Sequence, residues 1–173
     1  MVDKYKEKII SIRERVKYLN IKQPVGVIGT GNPNDEEYNT AYNIGYILSS
    51  CGFKIICGGR GGIMEAACKG VYENNGTSIG LLPELGMENC NKFVSIPLTT
   101  GIGLSRNVLI VSSSLFLISI GGSYGTLSEI SYGVQFEKKI FSFFPSNDLD
   151  KIETLSSIDD LLSKIENMLN EYE

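Results

Sequence analysis

The sequence predicts one α/β domain, residues 1–173, built on a doubly wound parallel sheet with helices on both faces. Two observations carry this prediction. Short apolar runs without polar alternation recur between segments of helical period, the pattern of parallel strands buried on both faces. Three glycine-rich turns, 29–31, 58–62 and 121–125, each close such a run. In doubly wound, Rossmann-like sheets ligands bind just beyond the carboxyl ends of the strands. The agreement of three turns says more than any one of them.

The elements follow in order. Residues 3–19 alternate charge with Ile9, Ile12, Val16 and Leu19, an amphipathic helix. Pro24 introduces a strand at 25–29, and Asn34 or Asp35 caps a helix that Gly52 stops. A second strand at 53–57 leads into Gly58-Gly59-Arg60-Gly61-Gly62, and a helix from Ile63 runs to the Asn74-Asn75-Gly76 turn. Strands are expected at 77–82 and 93–96, then a helix carrying Leu104, Val108 and Val111 with Arg106 near its start. The most apolar strand, Leu115 to Ile120, ends at Gly121-Gly122 and gives way to a helix opening at Thr126. A strand at 140–144 and a helix at 157–172, capped near Ser157 and Asp160, complete the chain.

Composition excludes several chemistries. With no histidine, proton transfer is left to carboxylates, Tyr, Lys or Cys, and His-based triads are out. A net charge of −4 without a basic block argues against nucleic acid. The longest mostly apolar run, Val108 to Ile120, is too short and too serine-rich to span a bilayer. The charged N-terminal stretch lacks an apolar secretory core, so a cytoplasmic protein away from membranes is expected. Cys51, Cys57, Cys68 and Cys90 lack metal-ligand spacing and read as reduced thiols, with no metal site expected.

The turns hold the candidate ligand positions. Gly29-Thr30-Gly31 lacks the third glycine of a dinucleotide fingerprint, and Cys57-Gly58 stands where an acidic ribose ligand would be. A tight strand-to-helix turn explains these glycines better than a dinucleotide. No phosphate-loop motif of the Gly-Lys-Ser/Thr type occurs. Gly58, Gly59 and Gly62 allow close backbone approach, and Arg60 reads equally as an anion-gripping guanidinium or an exposed loop residue. Gly121, Gly122, Ser123, Tyr124, Gly125 and Thr126 form the best anion cradle, backbone N–H groups at a helix start. By local pattern Thr126-x-x-Glu129 is a capping box and Arg106 a residue on a solvated face.

These motifs carry a family resemblance. Gly121 to Glu129 resembles the P-G-G-x-G-T-x-x-E signature of the Lonely-Guy superfamily, often mislabelled as lysine decarboxylases. Gly62-Ile63-Met64 is similar to its G-G-G-x-x-G-L-M-G motif, and Arg106 stands where the family keeps an arginine. Roughly residues 24–144 are covered. The resemblance implies a phosphate on Gly122, Ser123, Gly125 and Thr126. In the branch that hydrolyses nucleoside 5′-monophosphates to free base and ribose 5-phosphate, it implies Glu129 and Arg106 as catalytic residues.

Three positions depart from that pattern. Ile120 replaces the signature proline, Asn107 the lysine after the arginine, and Glu65 the last glycine of the second motif. Gly103 to Asn107, with Gly121 to Ile130, looks more like the molybdenum-cofactor carrier branch. That branch implies binding of a phosphorylated pterin without required catalysis or cofactor. Hence the leading expectation is a carrier of a small phosphorylated ligand, either the molybdenum cofactor or a nucleoside monophosphate. A phosphoribohydrolase is the alternative and a nucleotide sensor the third. No lysine in the motifs occupies a Schiff-base position, so decarboxylation is not expected. Both branches imply a homo-oligomer, dimer or tetramer, with the interface on helix 104–113 or 126–138.

Overall fold

The computed structural model describes residues 2–145 and 151–172. In chain order the elements on the first side of the sheet are α1 (Lys6–Tyr18), β1 (Val25–Gly29), α2 (Asp35–Ser50), β2 (Ile55–Cys57), α3 (Ile63–Glu73), β3 (Ser78–Leu82) and β4 (Ile96–Thr99). The chain then crosses back through α4 (Asn107–Ser113), β5 (Leu117–Ile120), α5 (Tyr124–Gln135), β6 (Ile140–Phe143), β7 (Glu153–Thr154) and α6 (Ile158–Asn170). The sheet order is β4-β3-β2-β1-β5-β6-β7, and every pairing is parallel. The chain winds outward from β1 to β4, then resumes at β5 on the other side of β1. A crevice opens where winding reverses, at the carboxyl ends of β1 and β5.

Side-chain alternation along the strands fills two layers. Val25, Val27, Ile55, Cys57, Ile118, Ile120, Phe141 and Phe143 face α1, α2, α3 and α6. Ile28, Ile56, Leu81, Leu117 and Ile140 face the opposite way, against Ile110 and Val111 of α4 and Ile130 of α5. Both faces are covered, which gives the Rossmann-like doubly wound architecture. The second layer, with fewer helices, leaves β4 open: Ile96 and Leu98 are exposed.

The starts of α2 and α6 follow from side-chain caps. Asn34 Oδ1 accepts from the Glu37 N–H at 2.9 Å while Glu37 accepts from the Asn34 N–H at 2.9 Å, a reciprocal capping box for α2. Ser157 Oγ accepts from the Asp160 N–H at 3.1 Å and opens α6.

The structure corrects two local expectations and adds one strand. The strand expected at 93–96 is displaced to Ile96–Thr99, where it runs along the sheet edge and tolerates Pro97. The two-residue β7 carries no apolar run, so no periodicity marks it. The signature helix begins at Tyr124, capped by Ser123, so Glu129 lies in its second turn and the Thr126–Glu129 capping box does not form.

Helices α2 and α3 meet backbone to backbone. A Cβ on Gly45 would sit inside the contact distance of the Ala67 carbonyl oxygen, and one on Gly70 would meet the Tyr42 carbonyl. This fixes the spacing of the loops that precede both helices. Alanine would gain about 1 kcal/mol of helix propensity at such a site, against about 1–3 kcal/mol for overpacking a rigid contact. Gly45→Ala is therefore expected to lower stability despite its better propensity, measured as a reduced urea midpoint. A raised midpoint would show the helices are free to separate.

Candidate functional site

Three loops converge at the switch point. The turn after β1 brings Gly29 and Gly31, the loop after β2 brings Gly58 and Arg60, and the start of α5 brings Ser123, Gly125, Thr126 and Glu129. Arg106 and Asn107 enter from the junction of a 3-10 turn, Gly103–Arg106, with α4. Together they line a cleft of about 160 Å³, with Met64 and Leu104 at its walls. Gly62 holds two of these loops together: its φ is +71°, and a Cβ there would strike the Thr30 and Gly31 carbonyl oxygens.

The remaining glycine-turn residues lie around the cleft rather than in it. The Thr30 hydroxyl accepts from the Asn32 N–H at 3.1 Å, within its own turn. Gly59 packs against Gly80, and its carbonyl accepts from the Asn91 N–H at 2.9 Å. Gly121, Gly122 and Tyr124 border an adjoining cavity of about 470 Å³ between α5 and β6, which shares Ser123 and Thr126 with the cleft and is floored by Leu127, Ile130 and Ile152. No charged side chain among the described residues lines that larger space. The charged side chains Arg60, Arg106 and Glu129 line the smaller cleft instead.

Its centre is an ion pair. Arg106 Nη1 lies 3.6 Å from Glu129 Oε1, and both residues are about 5–6% exposed. The expected solvated arginine is thus buried. Arg106 Nη2 donates to the Gly58 carbonyl at 3.2 Å, and Nη1 donates to Asn107 Oδ1. Asn107 Nδ2 in turn donates to Ser128 Oγ at 3.2 Å, and Ser128 Oγ to the Gly125 carbonyl at 2.7 Å. Arg106 Nε is buried and has no hydrogen-bond partner among the described residues. A side chain at position 58 would collide with the guanidinium, which explains why glycine stands there.

Burial governs both charges. Withdrawal from water pushes the Glu129 carboxyl up from 4.5 to about 7, with Arg106 opposing the shift. The same burial holds the Arg106 guanidinium below its ordinary value, with Glu129 opposing. At the mouth, Ser123 Oγ and Thr126 Oγ1 lie 3.2 Å apart at the positive end of α5, with the Thr126 N–H 3.5 Å from Ser123 Oγ. Arg60 forms an ion pair with Glu84. Local pattern missed Asn107 as a partner of Arg106, Glu84 as a partner of Arg60, and the walls Met64 and Leu104.

Elsewhere, Cys57 and Cys68 are buried with sulfurs 3.6 Å apart, and Cys51 and Cys90 are also free thiols. Among the described residues no group of three potential metal ligands comes together, and no helix is long and apolar enough to cross a membrane.

The model of the SLOG cluster4 family matches residues 22–169, and the chain belongs to that family. An uncharacterized protein of Archaeoglobus fulgidus is 42% identical over 121 residues, which are 70% of this chain and 80% of that one. The solved molybdenum cofactor binding protein of Rippkaea orientalis is similar, with a TM-score of 0.80 and 28% identity over 86% of this chain and 99% of that one. The molybdenum cofactor carrier protein of Chlamydomonas reinhardtii has a TM-score of 0.78 and 25% identity, again over 86% and 99%.

The Glu129 shift has a measurable sign. A carboxyl whose folded pKa exceeds its unfolded value binds more protons when folded, so stability falls as pH rises between the two values. From pH 4.5 to about 7 the Glu129 contribution should decline by about 3 kcal/mol. The melting temperature of wild type relative to Glu129→Gln should drop across that interval. A constant difference would mean Glu129 titrates as an exposed carboxyl.

Proposed function

We propose that the cleft binds the phosphate of a nucleotide-like ligand and that the protein acts as a carrier of a phosphorylated cofactor, the molybdenum cofactor being the leading candidate. The observation that carries this reading is the state of Arg106. Its terminal nitrogens are engaged by the Gly58 carbonyl, Asn107 and Glu129, so the protein holds this guanidinium in place. It lies at the floor of the cleft, while one hydroxyl proton of the mutually bonded Ser123–Thr126 pair and the N–H groups at the first two positions of α5 remain to receive an anion.

Size agrees with this division. Pockets that enclose a whole small molecule run to about 300–1,000 Å³. A cleft of about 160 Å³ suits the phosphate and its ester oxygen, with the rest of the ligand lying outside. The similarity to two molybdenum-cofactor proteins makes a phosphorylated pterin the first ligand to test.

A second reading has its own observation. A buried carboxyl pushed to about 7 can hold or release a proton at neutral pH, the property a hydrolase of nucleoside 5′-monophosphates would use. Glu129 would then engage the ribose or the developing positive charge, with Arg106 as its partner.

The reading is tested by extracting purified protein with acid and identifying released small molecules by mass spectrometry. A phosphorylated pterin, or marked thermal stabilisation by one without turnover, is the expected result. Ser123→Ala or Thr126→Val should weaken binding about tenfold, as expected for one lost hydrogen bond to a charged group. Free base released from adenosine 5′-monophosphate, and abolished by Glu129→Gln, would replace the carrier with the hydrolase.

We also propose that the protein self-associates through the face beside β4 and α4, where Leu98, Ile102, Leu104 and Leu109 are exposed. Light scattering should give a dimer or tetramer at micromolar concentration, and Leu104→Asp should shift it toward monomer. A monomeric wild type would overturn this part.

A further inference from the structure

We propose that Glu84 is a built-in counter-anion for Arg60, which a phosphorylated ligand must displace to draw that guanidinium into the cleft. The inference rests on the phosphate-binding reading above. It assigns Glu84, outside every motif of the sequence, as a residue that sets how strongly anionic a ligand must be.

The two arginines of the cleft are each matched with a glutamate, but in opposite ways. Arg106 and Glu129 are buried, and Arg106 is tied to backbone and amide groups as well. The side chains of Arg60 and Glu84 are 41% and 31% exposed, so water reaches the pair and it can exchange. Arg60 lines the same cleft, and its charge is near enough to push the Arg106 guanidinium down. Once Arg60 is released from Glu84, the opening gains an uncompensated cation beside the Arg106–Glu129 pair, which favours an anion carrying more than one negative charge. A phosphate monoester carries about 1.5 to 2 at neutral pH.

Local geometry allows the exchange without unfolding the loop. The Arg60 backbone is pinned, because Asn91 Nδ2 donates to the Gly59 and Arg60 carbonyls at 3.2 and 2.9 Å. Only the side chain has to turn. Arg60 Nε is buried and has no hydrogen-bond partner among the described residues, so the pairing with Glu84 leaves a donor unused that a phosphate oxygen would satisfy. Glu84 is held separately: Asn89 Nδ2 donates to its Oε1 at 3.2 Å, and its carbonyl accepts from the Gly101 N–H at 3.2 Å. Released from Arg60, the carboxylate keeps Asn89 and meets solvent.

Calorimetric titration with inorganic phosphate and adenosine 5′-monophosphate tests this on wild type, Glu84→Gln, Arg60→Gln and the double variant. The amide introduced by Glu84→Gln keeps an acceptor for Asn89, so the loop stays anchored and the charge alone is removed. Glu84→Gln should tighten both probes about two- to fivefold, the equivalent of one solvent-reachable ion pair. Arg60→Gln should weaken them, and Glu84→Gln should then have no further effect. Unchanged or weaker binding by Glu84→Gln, or a gain that persists without Arg60, overturns the proposal. If wild type binds and Ser123→Ala reduces binding while Glu84→Gln does not alter it, only the Glu84 role falls. Absence of binding by every form overturns the phosphate reading together with it.

Discussion

The buried pair of Arg106 and Glu129 is the constraint around which the switch point is arranged. Removing two charges from water is unfavourable, and their mutual attraction offsets it only when other hydrogen bonds complete the arrangement. Here the Gly58 carbonyl and the Asn107 amide provide them. The arrangement requires a residue without a side chain at 58, a tight turn that delivers Arg106 from the crossover, and an α5 that starts early enough to turn Glu129 inward. Segments from both sides of the sheet are thus bound to one another through a single guanidinium.

The layered fold was legible because buried parallel strands and amphipathic helices write different periods into the chain. Both strand faces at 25–29, 55–57 and 117–120 are apolar apart from the buried Ser119, and the capping pattern at Asn34 and Glu37 is purely local. Where the sheet ends, the signal fades. An exposed edge strand with Pro97 and a two-residue strand at Glu153 have no apolar alternation to reveal them.

The cleft was legible in its backbone and less so in its charges. Glycines mark where chains approach, so the three turns could be found from residue type. Ser123 and Thr126 both satisfy the pattern of a helix cap, and only the observed start of α5 decides between them. That shift by three residues turns Glu129 from a surface cap into a buried acid. Arg106 meets Glu129 through tertiary packing of α4 on α5, and no local spacing encodes that. Asn107, visible in the sequence only as a departure from a familiar lysine, proves to be what steadies the guanidinium beside it. A neutral amide there also leaves the cleft with one cation fewer than the related pattern would give.

The pairing of β1 with β5 has a consequence for how the molecule forms. Gly26 and Leu117 lie side by side in the sheet although about 90 residues separate them in the chain. Contacts of such long range are slow to establish, because the intervening loop must first be closed against its entropy. The glycine turns after β1 and β2 emerge early in synthesis, yet they remain without their arginine and glutamate until the central strands join. The cleft is therefore completed late, and a partly folded chain presents only an isolated set of loops.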